Sequence, residues 1–260
     1  MDYNLSEWLN LIVRWFHVFA GILWVGQTFL FTWMDRTLNR EESIWMVHSG
    51  GFYVVERQNV PEALPQTLHW FRWEAALTWL SGMALLIIVY YLGGLMETQA
   101  LGGISISVLV GFVLLAVAWV LYELLWQSPL ARSESAGAVV SFILLVGVIF
   151  GLTRVMTGRA AYIHVGAMLG TFMTANVWLR ILPFQRQMVA AVKKGIPPDM
   201  SLSARAKQRT KHNTYMVVPV VFIMISNHFP VATYGNQYNW VVLSVLTVAG
   251  WLTAKALRSR

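Results

Sequence analysis

Seven stretches of the chain, each roughly 20 residues long, are apolar enough to cross a bilayer as helices. They run approximately over 8–34, 69–92, 104–126, 138–156, 162–182, 215–231 and 240–257. In lipid every backbone polar group must find a partner within the protein, so only helices and closed barrels span membranes. Runs this long, without apolar–polar alternation, specify the helical solution. The composition agrees: 57% of residues are hydrophobic and 12% are charged, whereas soluble domains carry about a quarter charged residues. The expected fold is an all-α integral membrane bundle of about seven helices. Residues 1–260 form one transmembrane domain, with a loop at 35–68 and a basic linker at 183–213 broken by Pro197-Pro198. The first loop carries Ile44, Trp45, Met46, Phe52 and Tyr53, and is expected to lie on the surface as a short amphipathic segment with a turn at Gly50-Gly51.

The chain has no cysteine. That excludes disulfides, thiolate-bound iron–sulfur clusters, cysteine zinc sites and covalent c-type haem, so any haem must be held non-covalently. The opening residues MDYNLSEWLN lack the basic region and small-residue cleavage site of a signal peptide, so the first apolar run is expected to stay in the mature protein.

Basic residues set the orientation. The 183–213 linker holds Arg186, Lys193, Lys194, Arg205, Lys207, Arg209 and Lys211 against a lone Asp199. Lys255, Arg258 and Arg260 follow at the C-terminus, and Arg36, Arg40 and Arg57 fall on the same side. Segments 93–103 and 232–239 contain no positive charge. The expectation is N-terminus outside and C-terminus inside, in a bacterial inner membrane. The net charge of +7 is then a topology signal rather than a sign of nucleic-acid binding.

Six histidines stand out against this background. His17, His164 and His228 are expected towards the outer side, and His48, His69 and His212 towards the inner side. Histidine is the usual protein ligand of b-type haem and a common proton carrier. His17 is safely intramembrane, and Gly21 follows it one turn along the same helix face. The missing side chain leaves room beside the imidazole for a flat macrocycle or for a close neighbouring helix. Haem ligation and a simple interhelical hydrogen bond both fit that pattern. His164 and His228 are candidates to share one ligand sphere, with Asn227 as a possible helix cap.

The inner cluster reads HWFRWE over residues 69–74. An arginine among aromatic rings suits a flat anionic substrate, by bidentate hydrogen bonding and stacking. His48, Arg72, Glu74 and His212 are the catalytic candidates, with His69 as a further haem-binding candidate. The alternative is that Arg72 snorkels to lipid headgroups, Glu74 pairs with it, and the tryptophans form an interfacial belt. Arg14, Glu123, Arg154 and Arg180 are further ionisable residues within the apolar runs. Arg14 has Glu123 or a haem propionate as possible partners, while Arg154 and Arg180 lie near helix ends and can snorkel.

Four stretches carry a family resemblance: RWFHVFAGILWVG with FTWMD, VHSGGFYVVE, LHWFRWEAALTWLSG, and HNTYMVVPVVFIMISNHFP. They resemble the membrane domain of the bacterial PuuD-type urate hydroxylase (membrane-bound urate oxidase) family. The pattern around His17 is also similar, more distantly, to HemJ-type protoporphyrinogen oxidase, where the matching histidine is implicated in haem binding. The resemblance implies oxidation of urate or a similar planar substrate, one or two b haems, and electrons passed to a cytochrome c. Family members typically continue into a C-terminal c-type cytochrome. This sequence stops at Arg260, so the expected acceptor is a separate cytochrome or a larger membrane complex. The alternatives are a haem-bearing electron-transfer or assembly subunit of a respiratory or photosynthetic complex, and a cofactor-free transporter. A rhodopsin is excluded because Lys255 lies too close to the helix end for a central Schiff base.

Overall fold

The computed structural model of the protein describes residues 3–96 and 104–259. Part of the 93–103 segment, and Arg260, lie outside that range. The fold is an all-α membrane bundle. Helix α1 covers Tyr3–Thr37, and α2 covers Trp73–Leu85 before passing directly into a π-helical turn at Leu86–Tyr91. Helices α3 (Ile104–Gln127) and α4 (Glu134–Val155) follow. Helix α5 (Gly158–Asn176) runs through a second π-helical turn, Val177–Ile181, into α6 (Leu182–Lys193). Helices α7 (Met200–Ser226) and α8 (Asn239–Ser259) complete the bundle. The starts of α4, α5 and α7 are capped by Ser133, Thr157 and Asp199, whose side chains accept backbone N–H groups that have no partner within the helix.

Six of these helical segments are long and apolar enough to cross a membrane. The expected seventh span, 215–231, is the apolar half of α7, whose first half carries Arg205, Lys207, Arg209 and Lys211. Helix α7 packs against α5, α6 and α8, so protein covers its buried face. A helix sheltered in this way does not need the composition of one facing lipid.

Helix α5 is the axis of the bundle and packs against α2, α3, α4 and α7. Buried residues make up 61% of its most apolar window, against 6% for α1. Close approach depends on small residues. A Cβ on Gly166 of α5 would lie 2.9 Å from Ile223 of α7, and one on Gly250 of α8 would lie 2.9 Å from the Pro219 ring. At the periphery Trp15, Phe19 and Ile22 of α1 and Leu109, Phe112 and Leu121 of α3 point outward, as a lipid-facing surface requires.

Two connections differ from the sequence expectation. Within the 35–68 loop, Ser43–His48 and Gly51–Glu56 form an antiparallel β-hairpin, β1 and β2. Its turn is Ser49-Gly50, with φ of 50° and 78°, one residue earlier than expected. Positive φ at both central residues gives a turn whose twist matches that of the strands. The 183–213 linker is mostly helical, and only the short stretch around Pro197-Pro198 separates α6 from α7. Pro183 is accommodated at the start of α6, directly after the π-helical turn.

Candidate functional site

His17 faces α2 across the α1–α2 contact. Its Nδ1 lies 3.0 Å from the Thr78 carbonyl oxygen and 3.0 Å from Ser81 Oγ. The Ser81 hydroxyl donates to the Leu77 carbonyl at 2.6 Å. A carbonyl can only accept, so Nδ1 carries the proton and Nε2 keeps its lone pair. Nε2 makes no hydrogen bond among the described residues. Gly82 makes space for the ring, since a Cβ there would lie 3.0 Å from His17 Cε1. Gly21 faces α2 rather than an open gap, and a Cβ there would meet the Thr78 methyl at an ordinary 3.9 Å. Helix α1 starts at Tyr3, not near residue 8, and His17 is level with Thr78–Gly82. It therefore sits near the middle of the α2 segment rather than towards one face. Arg14 hydrogen-bonds the Asn10 side chain, not Glu123.

His164 is fully buried in α5. Its Nδ1–H donates to the Ala160 carbonyl at 2.8 Å, and its Nε2 accepts from the Tyr91 hydroxyl at 3.1 Å. Gly111 of α3 closes the pocket: a Cβ there would lie 2.7 Å from Tyr91 Oη and 2.8 Å from His164 Nε2. The π-helical turn also presents the neighbouring Tyr90, which donates to Asn227 Oδ1 at 3.2 Å; Arg159 Nε donates to the same oxygen at 3.0 Å. Asn227 thus ties α2, α5 and α7 together. His228 beside it is exposed at the end of α7, and no described contact joins it to His164.

The four inner catalytic candidates and His69 are not gathered by hydrogen bonds, ion pairs or ring contacts among the described residues. His48 closes the hairpin and is exposed, and His69 packs edge-on against Phe71 at 4.5 Å. The Arg72 guanidinium lies 5.5 Å from the Trp73 ring and 5.8 Å from the Trp178 ring, and its Nε is buried without a hydrogen bond. Glu74 accepts from Gln27 at 3.0 Å and does not pair with Arg72.

His212 belongs to a different constellation. Its Nδ1 lies 2.7 Å from the Tyr122 hydroxyl, which also accepts from Asn176 Nδ2 at 3.0 Å. Tyr122 therefore donates to His212. Asn176 also donates to Asn213 Oδ1 at 2.9 Å, and Asn213 donates to the Met173 carbonyl. The residue after Tyr122 is Glu123, 5% exposed. It pairs with Arg180 Nε at 2.7 Å and Arg209 Nη2 at 3.0 Å, and accepts from Gln127. The Arg209 contact is close without hydrogen-bond alignment, so Oε2 remains unbonded. Arg154 lies over Phe150, whereas Arg180 is an ion-pair partner within the bundle rather than a snorkelling residue.

Sequence reasoning missed Tyr122, Asn176, Asn213 and the buried role of Arg209. Positions 209, 213, 216 and 217 share one helical face, and that spacing extends the apolar face of α7 upstream into the basic segment.

Among the described residues no group of three or more His, Asp or Glu side chains is placed to hold a metal ion. Haem iron needs only one or two protein ligands, and His17 presents the required lone pair. The sequence model of the family described as Urate oxidase N-terminal matches residues 3–260. No curated protein and no solved structure matches the chain. With essentially its whole described length matched, the chain belongs to the urate oxidase N-terminal family.

Proposed function

We propose that the protein is a membrane oxidoreductase that withdraws electrons from urate or a similar planar purine and passes them through b haem to an external acceptor such as a cytochrome c. Family membership supports the substrate class, and the state of His17 carries the cofactor reading. Histidines that bind metal usually donate their other ring N–H to a carbonyl or carboxylate, which fixes tautomer and orientation. His17 Nδ1 is committed in this way to Thr78, in the middle of a membrane helix pair. Bound there, haem would supply one-electron redox chemistry; Thr78 and Ser81 hold the imidazole and Gly82 makes room for it. His164 fits less well, because Tyr91 occupies its Nε2 and Gly111 lies against it. In the positive-inside reading the basic ends of α6, α7 and α8 face the cytoplasm of a bacterial inner membrane.

Hydroxylation of urate by water releases a pair of electrons, which two one-electron acceptors must take. The test is urate-dependent reduction of added cytochrome c by membranes containing the wild type or His17→Ala. The wild type should reduce cytochrome c, while His17→Ala should lose both this activity and the haem absorbance yet remain inserted. Haem-loaded wild type that is inactive with urate refutes the enzyme and leaves an electron-transfer subunit.

A further inference from the structure

The buried polar centre between α3, α5 and α7 has features that the folded chain alone does not explain. One carboxylate, Glu123, faces two guanidiniums, Arg180 and Arg209, which leaves an excess of one positive charge. Glu123 and Arg209 are both buried, at 7% and 6% side-chain exposure, and the surplus cation is Arg180, which at 28% lies nearer the surface. Buried polar groups are nearly always hydrogen-bonded, yet four atoms at this centre make no hydrogen bond among the described residues: Glu123 Oε2, Arg209 Nη1, Asn176 Oδ1 and Trp126 Nε1. Arg209 Nη1, a donor, and Asn176 Oδ1, an acceptor on a fully buried side chain, both lack partners. They belong to side chains that flank Tyr122: Arg209 lies over its ring at 5.2 Å, and Asn176 donates to its hydroxyl. Trp126, against His212 at 4.1 Å, carries the other buried and unbonded donor, Nε1.

We propose that this centre binds a planar monoanion bearing ring N–H groups and carbonyl oxygens, with Arg209 and Asn176 as its recognition residues. An incoming carbonyl or enolate oxygen meets the Arg209 donor, a ring N–H meets the Asn176 oxygen, and the ligand's negative charge balances the second guanidinium. Identifying the natural ligand as urate rests on the function proposed above; the anion site itself does not. The rival location is Arg72, which also has an unbonded buried Nε, although no buried unbonded acceptor is found beside it among the described residues.

Equilibrium dialysis of the purified, oxidised protein in detergent tests the site, with barbiturate and urate as separate probes. The wild type should hold one barbiturate per chain. Arg209→Lys keeps the charge but loses the fork, and should weaken binding at least tenfold. Asn176→Asp places a carboxylate where the anion would sit and should abolish binding. Thermal melting checks that each variant is folded; if Asn176→Asp is not, the milder Arg209→Lys decides. The site is overturned if the wild type binds neither probe, if both folded variants bind like the wild type, or if Arg72→Lys rather than Arg209→Lys loses binding. Barbiturate bound at Arg209 with urate neither bound nor oxidised would leave the anion site standing and remove the urate reading.

Discussion

Replacing Glu123 by Gln keeps the shape of the side chain and removes the only carboxylate among the described residues that pairs with Arg180 and Arg209. The two arginines should respond differently. Arg180 is 28% exposed at its side chain, so it can turn towards water or headgroups, and its pair contributes no more than about 0–1 kcal/mol. Arg209 is 6% exposed against a carboxylate that is 7% exposed. Removing one partner from such a pair strands a charge in low dielectric and costs about 3–5 kcal/mol. The expected loss is therefore about 3–5 kcal/mol, a shift of more than about a hundredfold in the unfolding equilibrium. The assay is reversible unfolding in mixed micelles with increasing denaturing detergent, followed by circular dichroism. Adding Arg209→Met to Glu123→Gln removes the stranded charge and should recover most of the loss. Glu123→Gln within about 1 kcal/mol of the wild type, or a double variant no more stable than Glu123→Gln alone, would refute burial of this charge centre.

Two further outcomes follow from local geometry. Gly111→Ala places a methyl carbon 2.7 Å from Tyr91 Oη and 2.8 Å from His164 Nε2, so it must break their hydrogen bond. The expected cost is about 1–3 kcal/mol in the same unfolding assay, and an unchanged midpoint would show that the two side chains do not meet over Gly111. At the start of α7, hydrogen bonds from the Ser201 hydroxyl and then its backbone N–H hold the Asp199 carboxyl below its usual range. A depressed carboxylate stabilises above its unfolded pKa and loses that contribution as pH falls through its folded one. Amide exchange in the first turn of α7, corrected for intrinsic rate, should stay constant from neutral pH to about 4 and accelerate only below it; acceleration beginning near pH 6 would contradict the cap.

The bundle was legible in the sequence because lipid imposes a strong and local requirement: a long apolar run with its backbone bonds closed within it. The positions of the polar side chains were less legible, because they depend on which helix faces meet. Its place near the basic end of the bundle puts His212 on the same side as Arg72, yet α7 turns it towards Tyr122 on α3. The π-helical turns are the clearest loss. No residue in Leu86–Tyr91 or Val177–Ile181 announces the extra backbone turn, although the first brings Tyr90 and Tyr91 to Asn227 and His164, and the second carries Trp178 and Arg180. The hairpin was readable in principle, since β-branched and aromatic residues flank its glycines on both sides. The basic charges of 183–213 report topology, while the helix-forming Gln, Ala, Lys and Arg residues that carry them also favour α6 and the start of α7.

The central claim is that urate, or a purine like it, delivers electrons to a haem held by His17. The most direct test is an anaerobic difference spectrum of the purified wild type, recorded after urate alone and then after dithionite. The account predicts a Soret shift and sharpened α and β bands with urate, reaching a substantial part of the dithionite signal, and no such bands in His17→Ala. A protein with no haem absorbance, or a dithionite-reducible haem that urate leaves oxidised, would contradict it.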